Sequence, residues 1–174
     1  KKENISKEKD ALETFPFVTI DGEDAKDFDD AIFCEFSDNG FHLKVAIADV
    51  SFYVKEGSAL DLEAAKRTTS VYMPKKVVPM LPEKLSNELC SLQPNKRRRC
   101  LCIEMDFDKD GYIRSYKFHR GIIKSVARLT YTEVENQIIN GVKDTDYAES
   151  LKAAIALFNN CLLYTLTLPT NLCV

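Results

Sequence analysis

Short apolar segments separated by turn residues open the chain, a pattern that is typical of antiparallel strands. Residues 15–20 are apolar and rich in β-forming side chains, and an Asp-Gly turn follows them. Two further segments, residues 31–36 and 43–50, flank a turn at 37–40 that contains the Asn-Gly pair favoured in hairpins. The pattern predicts three strands at the start of the domain.

The next stretch predicts one helix and then irregular backbone. Residues 58–69 mix alanine and leucine with charged side chains at helical spacing. Prolines at 74, 79 and 82 follow, and each removes a backbone donor and fixes φ. We expect an extended loop after the helix.

The second half predicts another hairpin and two helices. Residues 101–107 alternate apolar and polar positions, and a polar turn at 108–111 leads into a second alternating segment at 112–118. Thr130 and Glu133 form a capping box that begins a helix to about residue 140, and residues 147–164 have helical composition. The expected class is α+β, a mixed β-sheet with flanking helices.

Composition narrows the class of protein without identifying a partner. The chain has 174 residues, 45% of them hydrophobic, and 24 basic against 27 acidic side chains give a net charge of −3. This is the composition of one globular domain, and it lacks the overall basic charge of many nucleic-acid binders. No apolar run reaches the ~20 residues of a membrane span, so we expect a soluble protein without a membrane partner.

The cysteines and the first residues indicate a reducing compartment. Six cysteines are scattered through a chain of this size and no Cys-x-x-Cys pair occurs, so we interpret them as reduced thiols. The polar start, Lys1 to Asn4, differs from a secretory leader. The sequence therefore predicts a cytoplasmic protein with no disulfide-linked partner.

Residues 21–30 carry the most unusual charge pattern. This segment holds six carboxylates and one lysine between two apolar strands, a net charge of −5. Carboxylates this close raise one another's pKa unless a cation neutralises them, and hard oxygen ligands suit Mg²⁺ or Mn²⁺. A solvated acidic loop is the alternative, although the bulky Phe28 within the run argues for a fixed segment.

Four of these carboxylates can converge. If the end of the segment is extended, Asp27 and Asp29 project to one side and Asp30 to the other, while Asp21 returns through the turn at Gly22. Such a cluster can hold two cations about 4 Å apart, one activating a water and the other stabilising a leaving oxygen. The reaction class that this favours is metal-assisted phosphoryl transfer to water.

A second acidic segment offers a calcium site as an alternative. Residues 106–113 match the first eight positions of a calcium-binding loop, but position twelve is Lys117 where a bidentate Glu is needed. The residues before it alternate like a strand. A polar hairpin turn is the favoured interpretation.

Two features could contact a nucleic acid. Tyr72 precedes Pro74, Lys75 and Lys76, and residues 96–99 are all basic. Aromatic rings stack on bases and clustered cations pair with phosphates. Packing for the tyrosine and a solvated turn for the basic run remain open alternatives.

These segments, in this order, resemble the catalytic domain of the RNase II and RNase R family of exoribonucleases. The resemblance spans roughly residues 17–140. The stretches that carry it are Thr19 to Ala31, Ile47 to Ser51, Gly57 and Ser58 with Asp61, Ser70 to Tyr72, Val78 to Glu83, Leu85 with Ser86, and Leu89 to Pro94.

The resemblance implies an activity and a set of site residues. The activity is processive, Mg²⁺-dependent hydrolysis of single-stranded RNA from its 3′ end to nucleoside 5′-monophosphates. Asp21, Asp27, Asp29 and Asp30 match the four metal-binding aspartates of the family, with Asp29 expected to be indispensable. Tyr72 matches a tyrosine that stacks on the 3′-terminal nucleotide. Apart from the resemblance, the charges of Lys75, Lys76 and Arg97 make these residues the expected phosphate contacts.

The resemblance also implies how much of the catalytic domain is present. We expect a lead-in at residues 1–14, the N-terminal half of a catalytic domain at 15–165, and an atypical tail at 166–174. The alternative function is a catalytically silent fragment that binds only RNA or protein. A phosphatase acting on small molecules would keep the carboxylates but leave Tyr72 without a role.

Overall fold

A computed structural model describes residues 11–74 and 76–167 of the chain. The strands are β1 Val18–Asp21, β2 Asp30–Ser37, β3 Gly40–Ala48, β4 Val71–Met73, β5 Lys76–Val78, β6 Arg97–Asp108, β7 Ile113–Lys124 and β8 Ala127–Thr130. The helices are α1 Val50–Tyr53, α2 Ala59–Arg67, α3 Tyr131–Asn140 and α4 Ala148–Thr167. A 3₁₀ turn covers Ala11–Thr14 and a π-helical turn covers Lys84–Leu89.

Six of the strands form one mixed sheet in the order β7-β6-β3-β2-β1-β8, which confirms the predicted class. β1 and β8 are parallel and the other neighbours are antiparallel. Asp21 therefore pairs with Thr130, and Asp30 pairs with Ile47. The end of β1, the start of β2 and the end of β3 consequently meet at the same edge of the sheet.

Both faces of the sheet are packed. On one face a cluster that includes Phe17, Phe33 and Ile123 is completed by Leu12, Phe28 and Leu92 from outside the sheet. On the other face α4 packs its Ala153 and Leu157 against Cys34 and Phe41, and Leu151 meets Val18 and Leu129. Phe28 is only 8% exposed, so the aromatic residue inside the acidic segment is a core anchor.

Several predicted elements are confirmed with small changes in their bounds. The hairpin of β2 and β3 turns where the Asn-Gly pair indicated, and Gly40 has φ +150° with its Cα hydrogen facing the backbone of Phe107, where a Cβ would collide. α2 begins after Ser58, whose hydroxyl accepts from the Asp61 amide. The Thr130–Glu133 capping box is present at the start of α3.

Other expectations were wrong. Residues 15–17 precede β1, and Val50 begins α1 instead of ending β3. The stretch after α2 is a small β4–β5 hairpin followed by a π-helical turn, not an extended loop. Arg97 to Arg99 belong to β6, which pairs with β7 along its length, so this basic run is not a turn.

The segments outside the predicted catalytic half are partly described. Leu12 is 2% exposed and lies in the core although it precedes residue 15. At the other end Leu166 and Thr167 belong to α4, whereas residues 168–174 of the predicted tail and residues 1–10 of the lead-in lie outside the described residues. In the described part, no helix is both long and apolar enough to cross a membrane.

The described cysteines Cys34, Cys90, Cys100, Cys102 and Cys161 are free thiols. Burial raises the pKa of the Cys100 thiol to about 12 and that of Cys102 to about 11. A thiol with such a pKa is neutral at physiological pH and is a poor metal ligand or nucleophile. These two residues are therefore packing groups of β6 in the core cluster on one face of the sheet.

Candidate functional site

The acidic segment bridges two adjacent strands at one edge of the sheet. Asp21 is the last residue of β1 and Asp30 is the first of β2, so residues 22–29 form the connection. Ser91 holds it from one side, because its buried hydroxyl accepts from the Phe28 amide at 3.1 Å and donates to the Lys26 carbonyl at 2.9 Å. The Leu92 amide also donates to the Phe28 carbonyl at 2.8 Å.

All four predicted aspartates line one cavity of ≈ 770 Å³. The same cavity is also lined by Tyr72, together with Asp21, Asp27, Asp29 and Asp30. The remaining wall comes from the acidic loop itself and from the segment around the π-helical turn. These other lining residues are Gly22, Glu23, Asp24, Ala25, Lys26, Ser70, Val77, Pro79, Glu83, Ser86 and Asn87.

The carboxylates repel one another. Partial burial raises the pKa of Asp29, and the charges of Asp27 and Asp30 raise it further. Burial and the charge of Asp30 likewise raise the pKa of Asp21, and Arg128 partly offsets this. The ionised cluster is thus electrostatically unfavourable by itself, which is the condition that a bound cation relieves.

Tyr72 stands at the cavity with its ring largely uncovered. Its side chain is on the β4–β5 hairpin, it is 68% exposed, and its hydroxyl donates to Asp27 Oδ2 at 3.3 Å. The negative charge of Asp27, together with desolvation, raises the pKa of the tyrosine hydroxyl. Tyr72 is therefore a neutral donor at physiological pH, and its exposed ring can stack on a base.

The predicted phosphate contacts are less closely grouped. Lys76 is exposed at the start of β5, on the hairpin that carries Tyr72, while Lys75 lies outside the described residues. Arg97 begins β6 and does not line the carboxylate cavity. Its guanidinium donates to Glu13 Oε1 through Nε at 2.9 Å and through Nη2 at 2.5 Å.

The sequence profile of the RNB domain matches residues 9–164, which is most of the chain. The chain belongs to the RNB-domain family. Ribonuclease R of Vibrio parahaemolyticus is 57% identical over 124 residues, which are 71% of this chain and 15% of that protein. Ribonuclease R of Escherichia coli is 50% identical over 151 residues, 85% of this chain and 18% of that protein. The chain thus spans less than a fifth of the length of these two relatives.

Solved structures share the fold of this RNB domain. Mycoplasma genitalium RNase R in complex with double-stranded RNA superimposes with a TM-score of 0.84 at 40% identity, covering 88% of this chain and 28% of that one. Yeast Ssd1, described as a pseudonuclease, gives a TM-score of 0.71 at 25% identity over 84% of this chain and 18% of its own. The fold therefore occurs in proteins with and without nuclease activity.

The donor chemistry of the RNB-domain cavity fits a hard divalent cation. Within residues 11–74 and 76–167, no three His, Cys, Asp or Glu side chains are already arranged in a metal-coordinating geometry. The fit lies instead in the all-oxygen donor set that lines the cavity and in the raised pKa values of Asp21 and Asp29. Mg²⁺ and Mn²⁺ prefer such ligands and keep several waters.

The calcium-like segment is a structural turn. Asp108 Oδ1 accepts the amides of Asp110 at 3.0 Å and Tyr112 at 2.9 Å, and the carboxylate also pairs with Arg114. Asp106 accepts from Ser115 and contacts His42 Nδ1 at 2.7 Å. These carboxylates are engaged in closing the β6–β7 hairpin, which agrees with the favoured interpretation.

Sequence reasoning missed the residues that hold the acidic loop in place. Ser91 and Arg128 contact backbone atoms of the loop, and Ser70, Glu83 and Asn87 complete the cavity wall. Ser91 belongs to a segment that carried the family resemblance, which was a usable signal. Arg128 lies in a short strand with no distinctive pattern, and nothing in the sequence separated it from other basic residues.

Proposed function

We propose that this RNB domain hydrolyses RNA from the 3′ end with a divalent metal held by the aspartate cluster. The observation that supports the proposal is one cavity that joins Asp21, Asp27, Asp29 and Asp30 to the exposed ring of Tyr72. A phosphodiester needs charge neutralisation and an activated water, and a 3′-terminal base needs a stacking surface. In one site the cavity combines carboxylates that could hold such a metal with an aromatic ring that could stack on the base.

In this proposal each aspartate is a metal ligand. A Mg²⁺ or Mn²⁺ ion held by these carboxylates would supply Lewis acidity for activating water and for stabilising a leaving oxygen. The charges of Asp27 and Asp30 both act on Asp29, so its loss removes a charge that interacts with two other members of the cluster. We assign it the indispensable role in the chemical step.

The remaining residues bind the RNA strand. Tyr72 stacks on the last base, while Lys75, Lys76 and Arg97 pair with phosphates. Arg97 has Glu13 as a partner in the structure, so RNA binding there requires exchange of the carboxylate for a phosphate. Processive release of nucleoside 5′-monophosphates from a single-stranded 3′ end completes the proposal on the family resemblance. The scattered cysteines support a cytoplasmic location.

Two related structures support RNA as the substrate. Mycoplasma genitalium RNase R has been solved in complex with double-stranded RNA and with ribose methylated single-stranded RNA. The second of these superimposes with a TM-score of 0.83 over 88% of this chain. A backbone this similar supports the same class of nucleic acid for this chain.

A catalytically silent, RNA-binding or protein-binding role is the second candidate. Its support is the shared fold with yeast Ssd1, a pseudonuclease, at 25% identity. The two candidates differ in what they require of the carboxylates. Hydrolysis needs a bound metal there, whereas a binding role does not.

The experiment that separates the candidates is degradation of a 5′-labelled single-stranded RNA with Mg²⁺ and with EDTA. Products that shorten stepwise from the 3′ end only with Mg²⁺ would support the proposed hydrolysis. An intact RNA after incubation with folded, RNA-binding protein would exclude it and leave the binding role. Asp29→Asn is the matched inactive control.

A further inference from the structure

Arg128 reaches the acidic loop from the neighbouring strand. It lies on β8 opposite Thr19 of β1, and its side chain is half-buried. Its Nη2 donates to the Gly22 carbonyl at 2.6 Å and to the Glu23 carbonyl at 2.7 Å. These two carbonyls directly follow Asp21, so one guanidinium nitrogen holds the turn through which Asp21 joins the cluster.

The same side chain also touches the far end of the loop. The guanidinium carbon of Arg128 lies 5.7 Å from the centre of the Phe28 ring, a cation-π distance, and Phe28 immediately precedes Asp29. Phe28 is itself held in the core and by Ser91. Arg128 therefore links the start of the loop to its fixed end, and its planar guanidinium does this in a way that a lysine ammonium does not reproduce.

The charge of Arg128 and its hydrogen bonds predict opposite effects on divalent-cation affinity. The positive charge of Arg128 lies close enough to Asp21 to act on its ionisation. A positive charge beside a metal site repels a divalent cation, so charge alone would make Arg128 unfavourable for metal binding. Its hydrogen bonds, in contrast, fix the backbone between Asp21 and the other carboxylates.

We propose that Arg128 is a positioning residue that clamps the Gly22–Glu23 turn and thereby brings Asp21 into register with Asp27, Asp29 and Asp30 for divalent-cation binding. The inference rests on the proposed metal-dependent function and adds a determinant outside the ligand set. Groups that orient metal ligands typically change metal affinity by about 10–100-fold when they are removed. Ser91 keeps the other side of the loop attached, so loss of Arg128 releases the turn and leaves the fold intact.

The test is the Mn²⁺ affinity of the intact protein, measured by electron paramagnetic resonance titration. Arg128→Met removes the charge and the hydrogen bonds but keeps a similar stem, and Arg128→Lys keeps the charge. Arg114→Met is the control, because it removes an arginine that pairs with Asp108 at the opposite edge of the sheet. Amide hydrogen exchange of residues 22–28 is the second measurement.

Clamping predicts at least about tenfold weaker Mn²⁺ binding and faster exchange at residues 22–28 for both Arg128 variants, with Arg114→Met unchanged. The inference would be overturned if Arg128→Met bound Mn²⁺ as tightly as wild type or more tightly, and tighter binding would mean that Arg128 acts through its charge alone. It would also be overturned if Arg128→Lys kept the Mn²⁺ affinity of wild type. The lysine variant decides the question by itself if the methionine variant does not fold.

A further comparison separates this inference from the proposed function. If wild-type protein and Asp29→Asn bind Mn²⁺ equally, the carboxylate site itself is refuted, and the inference with it. If Asp29→Asn binds more weakly than wild type while both Arg128 variants match wild type, only the inference fails.

Discussion

At the scale of single residues, Asp29 combines a raised pKa with repulsion from the charges of two other carboxylates of the cavity, Asp27 and Asp30. Conversion of Asp29 to Asn keeps the shape of the side chain and removes one ligand charge. We expect Asp29→Asn to abolish turnover in Mg²⁺ while the Kd for RNA, measured without divalent cations, stays within about twofold, since phosphate contacts rather than carboxylates supply RNA affinity.

The control for this prediction is Asp110→Asn, which makes the same chemical change at the tip of the β6–β7 hairpin. Its turnover should equal that of wild type. Retention of turnover by Asp29→Asn would remove Asp29 from the chemical step.

Tyr72 gives a second prediction for a single residue. Tyr72→Ala should keep hydrolysis but change the length of the final RNA product, because base stacking on an aromatic ring contributes about 1–3 kcal/mol per base. Tyr72→Phe is the matched control, since it keeps the ring and loses only the 3.3 Å hydrogen bond to Asp27. Product ladders on sequencing gels measure the outcome. Identical ladders for the alanine variant and wild type would refute stacking.

The candidate site was only partly predictable from individual residues. Asp21, Asp27, Asp29 and Asp30 lie within ten residues of one another, so spacing alone indicated that they could meet. Ser91 and Arg128 are 63 and 106 residues away from the loop atoms that they contact. Contacts to backbone atoms leave no pattern in the side chains of the loop, so only Ser91, which lies in a segment that carried the family resemblance, had a signal in the sequence, and Arg128 had none.

At the scale of elements, three neighbouring strands are joined by a row of charged side chains, in which Lys44 and Glu104 are largely buried and Lys117 is exposed. Lys44 of β3 contacts Glu104 of β6 at 2.9 Å, and Lys117 of β7 contacts the same carboxylate at 3.0 Å. Burial acts to raise the pKa of Glu104, but the hydrogen bonds from Lys44 and Lys117 hold the pKa below its ordinary value. This row stabilises the pairing of β3, β6 and β7.

The sign of the pH effect follows from that lowered pKa. The stabilisation is present above the unfolded-state pKa of about 4.5 and is lost as pH falls through the lower folded-state pKa. Glu104→Gln should reduce the free energy of unfolding by about 1.5–3 kcal/mol at pH 7, because the buried Lys44 loses its carboxylate partner and keeps His42 Nε2 at 2.8 Å. The difference from wild type should shrink below about pH 4.5 in urea denaturation.

The exposed pair of Glu63 and Arg67 on α2 provides the control. Glu63→Gln should change the free energy of unfolding by less than about 0.5 kcal/mol at every pH, since exposed helix pairs contribute little. A Glu104→Gln effect as small as that of the control would contradict a stabilising role for the row.

The elements that local signals define were predicted correctly, and those that distant pairing defines were not. The turn between β2 and β3 and the capping box of α3 each depend on a few consecutive residues. β8 was missed because it is four residues long and gains its conformation by parallel pairing with β1, more than 100 residues away in the chain. Arg97 to Arg99 looked like a turn because their charges hid the pairing with β7.

At the scale of the whole molecule, the aspartate cluster sets how stability responds to pH and to divalent cations. The raised pKa values of Asp21 and Asp29 mean that their contribution to stability is fully present below the ordinary value of 3.8 and is lost as pH rises through the raised values. At pH 7 the repulsion is at its maximum. A divalent cation bound as we propose would reverse this loss.

Mg²⁺ should therefore raise the Tm at pH 7. A concentration of about 100 times the Kd corresponds to about 2.7 kcal/mol of stabilisation for one site. The increase in Tm should be smaller at pH 4.5, where protons compete for the carboxylates, and smaller in Asp29→Asn at both pH values. Differential scanning calorimetry with Mg²⁺ and with EDTA measures it. An equal increase for Asp29→Asn and wild type would assign the effect to another site.

The central claim, that the four aspartates form the metal centre of an RNA-hydrolysing domain, is tested most directly by locating the metal. We would record anomalous diffraction from crystals of the protein grown with Mn²⁺. The claim predicts anomalous density within about 2.3 Å of carboxylate oxygens of Asp21, Asp27, Asp29 or Asp30. This is the range expected for a bond between an oxygen ligand and a small divalent cation. Density only at Asp106 and Asp108, or none in this cavity at saturating Mn²⁺, would contradict it.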